Sequence, residues 1–387
     1  MRTQVAIVGA GPAGLVLSHL LHLQGIESVV LDRRSRQDIE ETVRAGVLEQ
    51  GTVDLLVETG LGDRLKAQGA EHGGIHLRFG GETHRIDFQA LTGRSVTVYA
   101  QHEVLKDLIA ARLAAGGTIA FGVDDSWVED VTTDRPRVRY LVDGVEHVVE
   151  ADVVAACEGS QTRSRSLIPE GEVRRDYFRQ YPFAWFGILA EAPPSSEELI
   201  YAHSERGFAL VSTRSPTVQR MYFQCHPTEQ VDGWFDDRIW AELTARVGGE
   251  LNTGPIFSKA VLQFRSFVCE PMQHGRMFLA GDTAHTVPPT GAKGMNLAIA
   301  DVHVLTGALT AFYRSGRTDL LDAYTATALD RVWRAQHFSY WMTSMLHRFP
   351  DATDFDLRRQ TAELRTVTGS EAGSRLLAEN YVGLPLP

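Results

Sequence analysis

Cysteine is scarce in this chain of 387 residues: only Cys157, Cys225 and Cys269 occur, each far from the others. That spacing excludes a redox CxxC and a paired-cysteine zinc site, argues against a disulfide framework, and suggests a reducing cytoplasm. No uninterrupted apolar run reaches membrane-spanning length. The apolar opening MRTQVAIVGAGPAGLVLSHLL is broken by Gly9, Gly11, Pro12 and Gly14 and lacks a clean small-residue cleavage site, so it does not read as a signal peptide. Basic blocks and aromatic-basic stripes are missing, and the formal charge of -11 disfavours a nucleic-acid partner. Repeats and low-complexity linkers are absent as well. What remains, 43% apolar and 22% charged, is a globular balance with enough chain for two folding units.

The chain begins with a buried-strand pattern, QVAIV at 4–8, followed by GAGPAG and an apolar periodic stretch to about Leu23 that Gly25 ends. A second apolar run, SVVLD at 28–32, completes a βαβ beginning. In this context Gly9 permits a tight turn, Gly11 lets the backbone approach a pyrophosphate and Gly14 lets helix pack on strand. Asp32 can accept from a ribose hydroxyl. A glycine-rich turn without a ligand is the plainer alternative. Segments 74–100 and 182–265 instead show alternating strands such as GIHLRF, GFALVS and RMYFQC, a mostly antiparallel sheet inserted into the first unit. From Asp301 the sequence is helical to Pro350, and a polar helical tail follows.

Two further stretches suggest chemistry. In LAGDTAHTVPPTGAKGMNLAIAD, Leu279 to Asp301, a strand ends at Gly281-Asp282 and a Pro/Gly turn leads into a helix from about Met295. Asp282 could accept from a sugar-like chain, and the helix would aim its first amides at an anionic ring edge. A turn that merely joins strand to helix is the alternative. In the GFALVSTR strand, period-2 alternation puts Leu210, Ser212 and Arg214 on one face, and in RMYFQC the residues Arg220, Tyr222 and Gln224 share a face. Joined by SPT, this hairpin can present Ser212, Arg214 and Tyr222 together, a guanidinium between hydroxyls that suits a carboxylate. An isolated arginine is more often a surface or salt-bridged residue.

GAGPAG, ACEGSQTRSRSLIP at 156–169 and AGDTAHTVPPTGAKGMN at 280–296 resemble the three signatures of class A flavoprotein aromatic hydroxylases. The runs RAGVLEQG, ELIYA, RGFALVSTRS, VCEPMQHGR, HFSYWMTSMLHRFPD and AENYVGLP are similar to the members that act on 4-hydroxybenzoate. The resemblance implies an α/β fold, with a Rossmann-like FAD-binding domain (1–73, 98–180 and 266–345) interleaved with an antiparallel-sheet substrate domain (74–97 and 181–265). A helical C-terminal part (346–387) completes it. It further implies FAD as cofactor, NADH or NADPH as reductant, O2 as co-substrate, a homodimer, and hydroxylation of 4-hydroxybenzoate at C3 through a flavin C4a-hydroperoxide. By the same resemblance Gly9, Gly11, Gly14, Asp32, Arg44, Gln101, Arg220, Asp282, Lys293, Gly294 and Asn296 hold FAD. Ser212, Arg214 and Tyr222 hold the substrate carboxylate, and Pro289 lies against substrate at the catalytic centre. Tyr201, Tyr381 and His72 form a relay that carries the phenol proton to solvent. Arg33, Arg44, Arg165 and Arg265 match positions that meet the nicotinamide nucleotide.

The chain departs from the family pattern at several points. Where the NADPH-dependent members carry a tyrosine and an arginine, this chain has Asp38 and Thr42, with Glu40 and Glu41 close by; these acids would repel a 2′-phosphate, which points to NADH or dual use. As an alternative, they simply favour the dipole at an exposed helix start. Glu158 replaces an aspartate and Gln161 a histidine. Two other readings of the whole chain stay open: a hydroxylase of another phenolic acid, and a flavin-binding sensor without turnover.

Overall fold

The computed structural model describes residues 1–44 and 46–386; Ala45, within RAGVLEQG, and Pro387 lie outside the described residues. The first strand, Arg2–Val8, pairs in parallel with Val145–Ala156 on one side and Ser28–Asp32 on the other. Thr118–Phe121 and Met277–Leu279 extend this sheet outward, again in parallel. Consecutive residues Val5, Ala6 and Ile7 are all fully buried, so both faces of the sheet are covered, which explains the unbroken apolar runs. Helices Pro12–Leu23, Gln101–Ala114 and Gly294–Ser315 pack into the same core. An antiparallel hairpin, Asp125–Glu129 with Arg137–Val142, joins at Val145–Ala156 and was not apparent in the sequence.

The second sheet has eight strands in the order His285–Thr286, Ile256–Glu270, Arg175–Glu191, Val218–Cys225, Gly207–Ser215, Ile200–Ser204, Gly74–Phe79, Glu82–Asp87. All pairings are antiparallel except that of Ile200–Ser204 with Gly74–Phe79. The long strands Arg175–Glu191 and Ile256–Glu270 pass through positions 180 and 265, so continuous chain joins the two units. One face of this sheet meets helices Tyr324–Leu346, Asp354–Gly369 and Glu371–Val382, and the other packs on helix Asp236–Val247. Val96–Val98 does not join it. That strand centres a separate three-stranded sheet with Val47–Glu49 and Ala70–His72, because three residues carry too little alternation to declare their partner.

Helix Gly294–Ser315 is long and apolar enough to cross a membrane, yet most of it is buried in protein. Its apolarity is that of a core helix. It begins where the Pro/Gly turn predicted, one residue before Met295.

The tightest packing at the start of the chain is Gly14 against the Gly9 carbonyl, where an added Cβ would stand 1.9 Å from that oxygen. Gly14→Ala should therefore cost about 1–3 kcal/mol despite alanine's better helix propensity. Urea denaturation reads this directly, and an unchanged midpoint would contradict the packing argument.

Candidate active site

Three segments converge at the carboxyl ends of the parallel strands. Gly9 has φ +110, and a Cβ there would lie 2.2 Å from the Cys157 carbonyl oxygen. Gly11, by contrast, faces open space, and a Cβ added there would meet nothing within 4 Å. The backbone at Gly11 is thus free to meet a phosphate, beside helix amides that have no intrahelical acceptor. Asp32 holds this loop: Oδ2 accepts from the Ala10 amide at 2.6 Å and Oδ1 from the Arg34 amide at 2.8 Å. Its carboxylate braces the loop first, and a ribose hydroxyl would share it.

The second segment, 157–167, carries the two departures. The Glu158 carboxylate accepts from the Thr162 hydroxyl, which gives the longer side chain a local role, and Gly159 donates to Thr283 Oγ1 at 3.0 Å. Gln161 is exposed. Arg165 donates to the Thr283 carbonyl at 2.9 Å and stacks over Phe267.

The third segment is the turn after Met277–Leu279. Gly281 (φ +63) is wedged between Ala13 and Ala298, and its amide donates to Asp301 Oδ2 at 2.8 Å. His285 Nε2 meets the same oxygen at 2.7 Å, with both side chains buried. Burial disfavours the imidazolium, but the Asp301 carboxylate outweighs it and raises His285 above its ordinary value. Asp301, on helix Gly294–Ser315, therefore clamps the turn. Asp282 reaches solvent but is enclosed on most sides; that desolvation raises its carboxyl, against the pull of His285, Arg44 and Arg265. Further on, Thr343 Oγ1 donates to Thr290 Oγ1 at 3.0 Å, and Gly291 lies so close to Ser339 that a Cβ would come within 2.7 Å of its hydroxyl. Pro289 is half-buried in this braced turn.

The same turn leads to residues expected at the flavin. Lys293 Nζ donates to Glu49 Oε1 at 2.7 Å and to the Tyr381 carbonyl at 3.1 Å. Burial lowers its pKa, against the pull of Glu49. The Asn296 side chain accepts from Glu49 N and Thr52 Oγ1 and donates to the carbonyls of Val47 and Ala292. Both side chains are therefore committed to protein, and what Lys293, Gly294 and Asn296 can offer a flavin is backbone amide at a helix start. Gln101 opens helix Gln101–Ala114 beside Gly46, whose missing Cβ allows the approach of Tyr99 and Gln101. Arg220 Nη1 reaches the Val43 carbonyl at 3.4 Å, next to Arg44. Of the four arginines expected at the nucleotide, Arg44, Arg165 and Arg265 gather around Asp282 and Thr283, while Arg33 lies beside Asp125.

On the second sheet a lateral row runs Ala260, Gly187, Tyr222, Leu210, Tyr201, Leu77, all on the face toward the C-terminal helices. Gly187 leaves room for the Tyr222 ring, since a Cβ would come within 2.8 Å of it. Ser212 pairs with Arg220 in the next row, and Ser212 Oγ spends its hydrogen on the Arg220 carbonyl at 2.8 Å. To donate to a ligand, that hydroxyl must rotate. Arg214 falls at a β-bulge between Thr213 and Ser215, a device that re-aims a side chain. Its Nε is sealed from solvent without a partner, and no carboxylate of the described residues lies within ion-pair reach. Burial lowers its pKa, and the neighbouring Tyr222 and Tyr201 oppose that.

Within electrostatic reach of this arginine, Tyr201 Oη and Tyr381 Oη are 2.6 Å apart, both buried. Burial pushes Tyr201 up to about 12 and raises Tyr381 well above its ordinary value, so both are neutral hydroxyls at neutral pH. His72 is 3% exposed and ends a strand of only three residues, Ala70–His72. Its Nδ1 has no partner, and burial lowers its pKa, partly offset by Glu198.

A family model described as an FAD binding domain matches residues 2–339. The p-hydroxybenzoate hydroxylase of Acinetobacter baylyi is 46% identical over 390 residues, covering 100% of this chain and 96% of that protein. The chain belongs to the FAD-binding flavoprotein aromatic hydroxylases. Within that family it is also 25% identical to a probable NADH-specific resorcinol 4-hydroxylase of Rhodococcus jostii, over 83% of this chain and 61% of that longer protein. In fold it matches the p-nitrophenol 4-monooxygenase PnpA of Pseudomonas putida DLL-E4, with TM-score 0.82, 18% identity and 99% of each chain covered.

As a member of these flavoprotein hydroxylases the chain is a flavin-dependent aromatic monooxygenase with FAD as cofactor. The open backbone at Gly11 and the solvent-reaching Asp282 with cations around it fit that cofactor. Sequence reasoning passed over Asp301, Glu49 and Arg331. The one available signal for Asp301 was an acid inside the apolar run LAIADVHVL.

The Asp301 clamp predicts a pH effect. Because the folded pKa of His285 is raised, the pair's stability is full below about pH 6.5, the unfolded value, and is lost as pH rises through the folded pKa. Asp301→Ala should cost about 3–5 kcal/mol at pH 6 and abolish that slope, as read by denaturation at several pH values. A variant that keeps the wild-type slope would refute the assignment.

Proposed function

We propose that this chain is a 4-hydroxybenzoate 3-monooxygenase that converts 4-hydroxybenzoate to 3,4-dihydroxybenzoate with O2 and NADH, or NADH and NADPH alike. The observation that carries this reading is a pair of opposed devices: Arg214, without a counter-ion, and the Tyr201–Tyr381 hydroxyl pair. The 46% identity to a p-hydroxybenzoate hydroxylase supports it. An aromatic ring with a carboxylate at one end and a phenol at the other satisfies both.

The Gly9–Gly14 loop, Asp282 and the amides ahead of helix Gly294–Ser315 would hold FAD, which when bound would supply the redox chemistry and the activation of oxygen. The protein's part is orientation and proton control. The Arg214 guanidinium takes the substrate carboxylate, with Tyr222 and a rotated Ser212 hydroxyl completing the set. Tyr201 accepts the phenol proton and hands its own to Tyr381, so neither tyrosine need become a lasting anion. A phenol of pKa about 10 gives up its proton reluctantly at neutral pH, and the resulting phenolate is the better nucleophile. His72, a neutral imidazole by its lowered pKa, is the group that receives the proton next. Pro289, in its braced turn, walls the ring, and the buried row around Tyr222 and Leu210 excludes water.

Arg44, Arg165 and Arg265 are the proposed contacts of the nicotinamide nucleotide, with Arg33 at its outer end. Asp38 caps helix Arg36–Glu41 through Ser35, and Glu40 pairs with Arg36, so part of the acidic charge serves the helix itself. What speaks against a 2′-phosphate is that Asp38 and Thr42 stand where the NADPH-dependent members have a tyrosine and an arginine to hold it. The three free cysteines support a reducing, cytoplasmic setting, and the resemblance supports a homodimer.

Three experiments test this reading. NADH and NADPH oxidation by the holoenzyme is followed with and without 4-hydroxybenzoate while 3,4-dihydroxybenzoate and hydrogen peroxide are quantified. Substrate-triggered oxidation with matching product is expected, with higher kcat/KM for NADH, and a strong NADPH preference would overturn the nucleotide assignment. Replacing Asp38 by Tyr and Thr42 by Arg together should raise NADPH efficiency by about tenfold. Tyr201→Phe should keep substrate-stimulated oxidation yet lose most product; a yield near wild type would remove Tyr201 from the mechanism.

A further inference from the structure

Tyr381 is the penultimate residue of helix Glu371–Val382, where carbonyls have no intrahelical donor and helices fray. Its hydroxyl must nevertheless stay within 2.6 Å of Tyr201. The carbonyls at and beyond this helix end are met by cations. Lys293 donates to Tyr381 O at 3.1 Å and Arg94 to Gly383 O at 3.4 Å. Arg331 donates to Leu384 O at 3.0 Å and to Pro385 O at 2.8 Å. Arg331 Nη2 also holds Glu49 Oε2 at 2.9 Å, while Lys293 holds the other oxygen, Oε1, at 2.7 Å. Glu49 thus joins two cations, and the three side chains are nearly buried. Gly383 completes the arrangement: its φ is +90, and a Cβ would stand 2.0 Å from Glu49 Oε2, so only glycine lets the chain pass the carboxylate.

Arg331 belongs to helix Tyr324–Leu346, whose Ser339 and Thr343 brace the turn at Thr290 and Gly291. We infer that Arg331, through Glu49 and the carbonyls of Leu384 and Pro385, is a positioning residue that fixes segment 381–386 and so holds the Tyr381 hydroxyl in line with Tyr201. One guanidinium spans three acceptors in two directions, which its planar fork can do and an ammonium cannot. Loosening the segment lets Tyr381 drift from Tyr201 while leaving Arg214, the Gly9–Gly14 loop and the Asp282 turn in place. The consequence falls on proton removal, not on ligand binding.

This inference rests on the proposed relay, and its test separates the two. Arg331→Gln, Arg331→Lys and Gly383→Ala are compared with wild type as holoenzymes. In Arg331→Gln and Gly383→Ala, 4-hydroxybenzoate binding and substrate-triggered reductant oxidation should stay within about threefold, while the ratio of 3,4-dihydroxybenzoate to hydrogen peroxide falls on the order of tenfold or more, as small misplacements at a reacting centre do. The phenol pKa of bound 4-hydroxybenzoate, read by its ultraviolet difference spectrum, should rise, and amide hydrogen exchange at 380–386 should quicken. Arg331→Lys should fall between, and it carries the test with Gly383→Ala if Arg331→Gln does not fold. Wild-type product ratio and phenol pKa in the variants, even with a lowered Tm, would overturn the inference. If wild type converts no 4-hydroxybenzoate, the functional reading fails; unchanged exchange at 380–386 would then overturn the clamp on its own.

Discussion

A guanidinium held in protein without a neutralising carboxylate is costly, and Arg214 is in that position: it is half-buried, its Nε is sealed from solvent without a partner, and Nη1 donates to the Thr213 carbonyl at 3.1 Å. The surrounding structure makes sense as the setting for an anion brought from outside. The β-bulge turns Arg214 inward, Gly187 yields space for the Tyr222 ring, and the Tyr222, Leu210 and Tyr201 row closes the site against solvent. A charge kept unpaired in this way gives a ligand both its affinity and its direction. In the proposed reading, once the carboxylate end is fixed, the far end of a ring would meet Tyr201.

The second requirement is that parts from distant stretches stay in register. Asp301 does this for the cofactor side, joining Gly281 and His285 to the long helix through one oxygen. Glu49 does it for the proton side, joining Lys293 and Arg331 around the chain that carries Tyr381. Each is a buried carboxylate serving two partners, so neither adds much net stability as a salt bridge but either would be damaging to lose. Precision at the site thus depends on groups that touch neither ring.

How much of this could be read beforehand depended on range. The Gly9–Gly14 loop and its strand were legible because local constraints write them: a tight turn, a close helix, an apolar strand. The hairpin was legible because alternation has period two, and Ser212 opposite Arg220 and Leu210 opposite Tyr222 follow from it. The bulge at Arg214 was not, since an extra residue leaves no mark in composition. Tyr201 and Tyr381 stand 180 residues apart and only a resemblance joined them. His72 likewise entered the relay only through the resemblance; it is buried at the end of a three-residue strand. The commitments of Lys293 and Asn296 to Glu49 span more than 240 residues, a distance at which sequence pattern carries no information.

The central claim is that Arg214 awaits the carboxylate of a phenolic acid. The most direct measurement compares the Kd of 4-hydroxybenzoate with that of 4-hydroxybenzamide, its uncharged isostere, on the holoenzyme by calorimetry or flavin absorbance. The account predicts weaker amide binding by about a hundredfold or more, because the guanidinium then loses its counter-ion, and a much smaller gap in Arg214→Gln. Equal affinities in the wild type would mean that Arg214 does not select the substrate, and the account would fail at its foundation.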